Sequence, residues 1–253
     1  MSGLRGGLEV SFRALSDVGR VRSENQDAWF ADQKAGIFLV ADGMGGMTAG
    51  GVAAKAAAEV LPKLLAERLS GMKAPTEKAF ADAAAESVAD FSAALYARSM
   101  KDRRLEGTGT TVVLALIRGR CAYIANLGDS RAYLYKGGLR QVTEDHSLAA
   151  ALQRLGKLTP EQAAVHPGRS TLTRYAGMKE RAEADVRLIH LKGSCRLLLC
   201  SDGLTGMVPD ERIASILALV KDPAEACRRL VDEANEAGGR DNVTALLADL
   251  RHP

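Results

Sequence analysis

At 253 residues, with 47% hydrophobic and 26% charged content, the chain can bury a large core as one big domain or two small ones, and it shows no linker that would separate two. A formal net charge of +3 and an aromatic content of 4% supply neither the electrostatics nor the stacking platforms that nucleic acid needs. No apolar run is long enough to span a bilayer, "MSGLRGGLEV" lacks the apolar core of a signal peptide, and four scattered cysteines make no disulfide framework, so the expectation is a cytoplasmic protein with no nucleic-acid or membrane partner.

Taken in chain order, the hydrophobic pattern predicts strands over 9–16, 28–30 and 36–40, then two long helices. The first helix, 48–68, sets Val52, Ala56, Val60 and Leu64 on one face; the second, 76–100, sets Phe80, Ala84, Val88, Phe91 and Leu95 on one, with Thr76 as its N-cap. Four strands follow at 108–118, 120–127, 130–135 and 139–142, joined by tight "RGR", "GDS" and "KGG" turns as an antiparallel meander. Residues 147–183 break this regularity with a short helix at 148–155, the segment "HPGRSTLTRYAG" and three arginines, 169, 174 and 181. A long irregular excursion of this kind is usually functional or mobile. Strands at 184–191 and 196–200, helices at 210–220 and 223–236, and a last strand at 243–249 complete the chain. The order predicts an α+β fold, a β-sandwich of two antiparallel sheets with helices outside in four layers.

One stretch stands out, "GIFLVADGMGG" at 36–46, where an apolar run reaches Asp42 and then three glycines. Asp-Gly alone reads as a turn in which Gly43 supplies a positive φ. The pattern recurs, however: "CRLLLCSDGLTGM" carries 197–200 into Asp202-Gly203, "CAYIANLGDSR" carries 122–127 into Asp129, and "GGRDNVTALL" places Asp241 and Asn242 directly before a strand. Four carboxylates at the tips of four buried strands can converge in space. Such a cluster cannot stay ionised without cations, because like charges raise each other's pKa. Oxygen-only donors favour hard ions such as Mg²⁺ and Mn²⁺ over zinc or copper. The histidines, 146, 166, 190 and 252, show no metal-ligand spacing and read as surface or packing residues; Cys121 and Cys200, in or beside apolar strands, read as small buried hydrophobes.

Eight blocks, "SDVGRVRSENQDAWF", "FLVADGMGGMTAG", "GTGTTVVLALI", "ANLGDSRAYLY", "VTEDHS", "HPGRSTLTRYAG", "LLLCSDGLTGMV" and "GGRDNVTALL", stand in the order and approximate spacing of the metal-dependent protein phosphatases of type 2C. Over residues 10–250 the chain resembles the compact bacterial form of that family, with 147–183 as a flap over the site. The resemblance implies a single catalytic domain that binds two Mn²⁺ or Mg²⁺ ions, with a third, weaker one. It implies Asp42 as the bridging ligand of the two catalytic ions, the Gly43 carbonyl on the second, Asp202 and Asp241 on the first, and Asp27 holding the second through water. Asp129, with a contribution from Asp202, resembles the ligand of the third. Arg22 matches the family's phosphate-binding arginine; a guanidinium grips two phosphate oxygens at once. Two ions about 3.5–4 Å apart make hydroxide available near neutral pH for in-line attack on a phosphomonoester, so no covalent nucleophile is needed. Ser23, Ser130 and Ser201 read as turn and cap residues. The implied activity is that of a monomeric phosphoserine and phosphothreonine protein phosphatase opposing a Ser/Thr protein kinase.

The chain also departs from the family pattern. Met44 stands where some members carry a histidine that resembles a general acid, which leaves a metal-bound water as the proton donor; Glu24, Ser170, Tyr175 and Met178 bear on substrate preference. For Arg169 and Arg174 two readings stand: steering of an acidic phosphopeptide, or pairing with surface carboxylates, the latter favoured for Arg174. A phosphoprotein-binding regulatory module of little or no activity is the alternative function, and such a relative is expected to have lost metal aspartates that are all present here. A nucleotide site at "DGMGG" lacks both glycine-loop signatures.

Overall fold

A computed structural model describes residues 8–45 and 49–251. Two antiparallel sheets face each other. The first takes β1 (Glu9–Asp17), β11 (Val243–Arg251), β10 (Cys195–Cys200), β7 (Arg131–Tyr135) and β8 (Leu139–Gln141) in that spatial order. The second takes β2 (Asp27–Asp32), β3 (Ile37–Met44), β5 (Val112–Arg118), β6 (Cys121–Leu127) and β9 (Asp185–His190), with β4 (Gly109–Thr110) paired to the end of β3.

The continuous apolar runs arise because strands covered on both faces cannot alternate apolar with polar. Along β3, Ile37, Leu39 and Ala41 enter the core under the helices, while Phe38 and Val40 enter the core between the sheets. Along β11, Val243, Ala245 and Leu247 face the other helical layer, whereas Leu246, Ala248 and Leu250 face the sheet opposite. Helices α1 (Ala49–Ser70) and α2 (Glu77–Ser99) cover the second sheet; α6 (Asp210–Leu219) and α7 (Pro223–Glu236) cover the first. The four-layer sandwich expected from the sequence is the one observed.

Three local expectations are corrected. The inward face of α1 is Ala53, Ala57, Leu61 and Leu65, one residue on from the expected stripe, and Val52 and Val60 are each 39% exposed. Backbone approach sets this rotation: a Cβ on Gly50 would lie 2.7 Å from the Gly43 carbonyl oxygen, so the helix turns its smallest residue to the strand. The expected start of α1 at Thr48 lies outside the described residues. The 108–142 region is not a meander, since β5 and β6 belong to one sheet and β7 and β8 to the other. "GDS" is therefore the crossing between sheets. Finally, β3 does not stop before Asp42 but continues to Met44, and Gly43 has no positive φ.

The 147–183 segment holds α3 (Leu148–Arg154), α4 (Pro160–Val165), which the pattern did not predict, and a turn of 3₁₀ helix at Pro167–Ser170. The Thr110–Ala176 bridge and a hydrogen bond from the Gly177 amide to Ser92 Oγ fasten it to the body, while the Ser147–Leu172 bridge closes the segment on itself. His146 adds a relay. Its Nδ1 accepts from the Gly128 amide (3.1 Å) and its Nε2 lies 3.1 Å from Asp185 Oδ2; Arg174 grips the same carboxylate with both terminal nitrogens, 2.9 and 3.1 Å. The structural reading of Arg174 is thus the one seen, and His146, fully buried, ties the loop before Asp129 to β9.

Candidate metal and phosphate site

Parity along the strands fixes where the aspartates point. Asp42 follows Phe38 and Val40 on the side between the sheets, and Asp27 is its register partner on β2. Carboxylates directly opposite on neighbouring strands share a face and repel. Thr244, on β11 of the other sheet, donates through Oγ1 to Asp27 Oδ2 (2.6 Å), and Ser201 Oγ donates to the same oxygen (2.7 Å). Asp27 Oδ1, buried, has no partner at all. An unpartnered buried carboxylate oxygen costs on the order of 1–3 kcal/mol or more, so this atom awaits a donor or a cation. Ser201 is correspondingly no side-chain cap of the short helix α5 (Asp202–Thr205), contrary to the sequence reading, and Ser130 Oγ pairs with Thr111 Oγ1 (2.7 Å).

The "GTGTT" block holds Asp42 in place. Thr111 Oγ1 accepts from the Asp42 amide (2.9 Å), and the Asp42 carbonyl accepts from the Thr111 amide (2.8 Å) and Thr110 Oγ1 (2.9 Å). This is why the predicted 108–118 strand is split at Thr111. At the other wall, a Cβ on Gly203 would lie 2.0 Å from the Asn242 carbonyl oxygen, so the chain segments that carry Asp202 and Asp241 touch through a glycine. The Asn242 side chain donates to the Val18 and Glu24 carbonyls (2.9 Å each) and accepts from the Gln26 amide (2.8 Å), which clamps the loop that bears Arg22.

The result is a cleft of ≈ 700 Å³ lined by Arg22, Asp42, Gly43, Asp129, Asp202 and Asp241 among others, with Asp27 behind Asp42. Arg169 is not on it. This exposed arginine lines a neighbouring cavity of ≈ 310 Å³, which meets the cleft at Asp129, Ser170 and Asp202. Among the described residues the five carboxylates do not close into a group of three with oxygens within 4.8 Å of one another. Asp241 is engaged elsewhere, accepting from Arg22 Nη2 (2.7 Å) through Oδ2 and from the Asn242 amide (2.8 Å) through Oδ1.

Electrostatics mark the cluster as short of positive charge. Burial, then the neighbouring carboxylates, push Asp27 up to about 7, although Thr244 and Ser201 pull the other way. Burial and then Asp202 push Asp129 up to about 8. Asp42 is held well above the usual range by burial and then by Asp27 and Asp202, and Asp202 is raised by burial and Asp241. Metal-free, the native state therefore keeps protons that the unfolded chain releases near its ordinary value of 3.8, so stability falls as pH rises from about 4 to about 8. Mn²⁺ competes with those protons, and the rise in Tm it produces should be larger at about pH 8 than at about pH 6. Thermal unfolding with and without Mn²⁺ at the two pH values checks this; a smaller rise at the higher pH would contradict it.

A profile of the protein phosphatase 2C family matches residues 20–247. The chain belongs to the protein phosphatase 2C family. It is 38% identical over 246 residues to the serine/threonine phosphatase stp of Listeria innocua, covering 96% of each chain. The crystal structure of the Mycobacterium tuberculosis serine/threonine phosphatase PstP superposes with a TM-score of 0.82 at 34% identity, covering 96% of this chain and 99% of that one. The PstP catalytic domain solved with two manganese ions gives 0.80 at 32% identity over 96% and 99% of the two chains.

The geometry adds two side chains that the sequence reading did not single out, Thr111 and Thr244, and gives new roles to Ser201, read there as a turn or cap residue, and to Asn242, named there only for its place before a strand. All four lie within the quoted motif blocks, which was the available signal. Their roles as hydrogen-bond partners depend on sheet crossings that no local pattern reveals.

Proposed function

We propose that the protein is a metal-dependent serine/threonine protein phosphatase, and the observation that carries this reading is the crowd of aspartates around one cleft, Asp27 with a bare buried oxygen among them, beside the Arg22 guanidinium. The donor set fits hard divalent ions. Asp42 would bridge two Mn²⁺ or Mg²⁺ ions, Asp202 and Asp241 would complete the first, and the Gly43 carbonyl, kept clear by the missing Cβ of Gly50, would serve the second. Asp27 would act on the second through water, and Asp129 with Asp202 would hold a third. Bound there, the ions lower the pKa of water and offset phosphate charge.

The rest falls to the chain's own side chains. Arg22 orients the phosphate of a phosphoserine or phosphothreonine at the mouth of the cleft, where Met44 offers no proton to the departing oxygen. Arg169, across Asp129 and Asp202, meets acidic residues flanking the phosphorylated one. The whole chain acts as one catalytic domain with 147–183 as a flap, working as a cytoplasmic monomer against the products of a Ser/Thr kinase and on that kinase itself. No described helix is long and apolar enough to cross a membrane. A binding-only module is disfavoured, because all five aspartates are present and four of them line one cleft.

The test is hydrolysis of a phosphothreonine peptide by chelator-stripped protein resupplied with Mn²⁺, Mg²⁺, Ca²⁺ or nothing, with Asp202→Asn as control. Activity restored by Mn²⁺ and lost in the variant is expected; a folded protein inert with every ion would sink the phosphatase reading.

Arg22 carries a second expectation. Its pair with Asp241 is exposed, 56% and 38% for the two side chains, and such pairs are worth about 0–1 kcal/mol, so it opens readily when an ion takes Asp241 and frees the guanidinium for phosphate. Arg22→Ala should therefore raise KM while lowering the Mn²⁺ concentration needed for half-maximal activity. An unchanged KM would remove Arg22 from the phosphate site.

A further inference from the structure

A second cluster lies at the opposite end of the sandwich. The first residue of β6, Cys121, is the register partner of the last residue of β9, His190, and Glu77 opens α2 beside them. Cys121 Sγ lies 3.4 Å from His190 Nδ1 and 3.5 Å from Glu77 Oε1, and those two atoms are 3.8 Å apart. Among the described residues this is the group whose ligand atoms all lie within 4.8 Å of one another. Bond lengths typical of tetrahedral zinc require S···N and S···O separations of roughly 3.5–3.6 Å and an N···O separation of roughly 3.4 Å. The three observed distances already approximate the three edges of such a site.

We propose that Cys121, His190 and Glu77 form a second metal site, selective for a borderline-soft divalent ion of the Zn²⁺ type. One thiolate and one imidazole favour zinc or cobalt over Mn²⁺ and Mg²⁺, the reverse of the all-oxygen cleft. The two sites are also remote, since the seven residues of β6 run from Cys121 toward Asp129 and at ~3.3 Å per residue separate them by about 20 Å. Glu77 and His190 are 55% and 60% exposed, so an ion can enter and keep a water in its fourth position. The thiol directs its hydrogen toward Glu77, and the ion takes that proton's place: the proton leaves to solvent, Nδ1 supplies a lone pair with the ring hydrogen on Nε2, and thiolate plus carboxylate balance the 2+ charge. The nearby Arg118 is occupied with the Ala35 and Ile117 carbonyls and lies over the Phe80 ring. Occupancy would tie the first turn of α2 to the edge of the sheet. The sequence concealed this trio because its members stand 44 and 69 positions apart.

Co²⁺ is the probe, because a sulfur-to-cobalt charge-transfer band in the near ultraviolet reports a thiolate ligand and the aspartate cleft contains none. Titrated into protein kept in excess Mn²⁺, Co²⁺ should raise the band to one equivalent, and Zn²⁺ should abolish it. Cys121→Ser should show no band yet hydrolyse phosphopeptide like the parent in Mn²⁺. His190→Ala should weaken Co²⁺ binding at least about tenfold, as losing even an outer partner of a metal site does. No band in the parent, a band surviving in Cys121→Ser, or unchanged affinity in His190→Ala would each overturn the proposal.

Discussion

Asp42→Ala should lower phosphopeptide turnover at least about a thousandfold, equivalent to about 4 kcal/mol of transition-state stabilisation, and at the same time make the metal-free protein more stable. The first half follows from position: Asp42 lines the cleft, faces Asp27 across the β2–β3 pair and feels the charges of Asp202, Asp129 and Asp241, so it stands among all the other carboxylates of the site. The second half follows from the division of labour at this residue. Its backbone, held by Thr110 and Thr111, secures the end of β3, whereas its carboxylate contributes burial cost and repulsion. Removing the side chain keeps these backbone hydrogen bonds, gives up the carboxyl's hydrogen bond with Asp202, and discards the burial cost and repulsion that hold its pKa well above the usual range. Turnover with saturating Mn²⁺, paired with thermal unfolding in chelator, checks both; retained metal-dependent turnover would refute the bridging role.

Gly203→Ala should be among the most damaging additions of a single methyl group at the site. Gly203 has no positive φ, so alanine is conformationally permitted there, and the obstacle is space alone. The new Cβ would sit 2.0 Å from the Asn242 carbonyl oxygen and 3.4 Å from the Val243 Cα, both backbone, and no rotamer relieves it. Overpacking of this kind costs about 1–3 kcal/mol. The functional loss should exceed the loss of stability, because Asn242 clamps the Arg22 loop and follows Asp241, so one displacement misplaces Arg22, Asp202 and Asp241 together. Gly138→Ala, with nothing within 4 Å of the added carbon, is the matched control and should be near neutral. Equal denaturation midpoints and equal turnover for the two variants would show that the Gly203–Asn242 approach does not matter.

Asp42, Asp129 and Asp202 were legible in the sequence because a carboxylate at the end of an apolar run is chemically conspicuous, and Asp241 because it directly precedes one, whereas Asp27 was named only through the family resemblance. The helical stripe of α2 was legible for a related reason: Ala84, Val88, Phe91 and Leu95 are buried as the periodicity required. The rotation of α1 was not, since alanines fall on so many sides of that helix that the Gly43–Gly50 approach decides which face turns in. Sheet membership failed at "GDS" because a tight link between apolar strands looks alike whether it turns within a sheet or crosses between two. Arg169 was placed near the site by its motif but sits in the adjoining cavity, a distinction set by how the 147–183 segment folds back.

Residues 9–17 pair along their whole length with residues 243–251, and Thr244 and Asn242 at the start of that last strand reach Asp27 and the Arg22 loop. Synthesis proceeds from one end, so β1 must wait until residues 243–251 are made before finding this neighbour, and pairings this distant in sequence are slow to form. A nascent chain on the ribosome then carries Asp27, Asp42 and Arg22 without the strand that positions them, and phosphate hydrolysis begins only once residues 242–251 have been made.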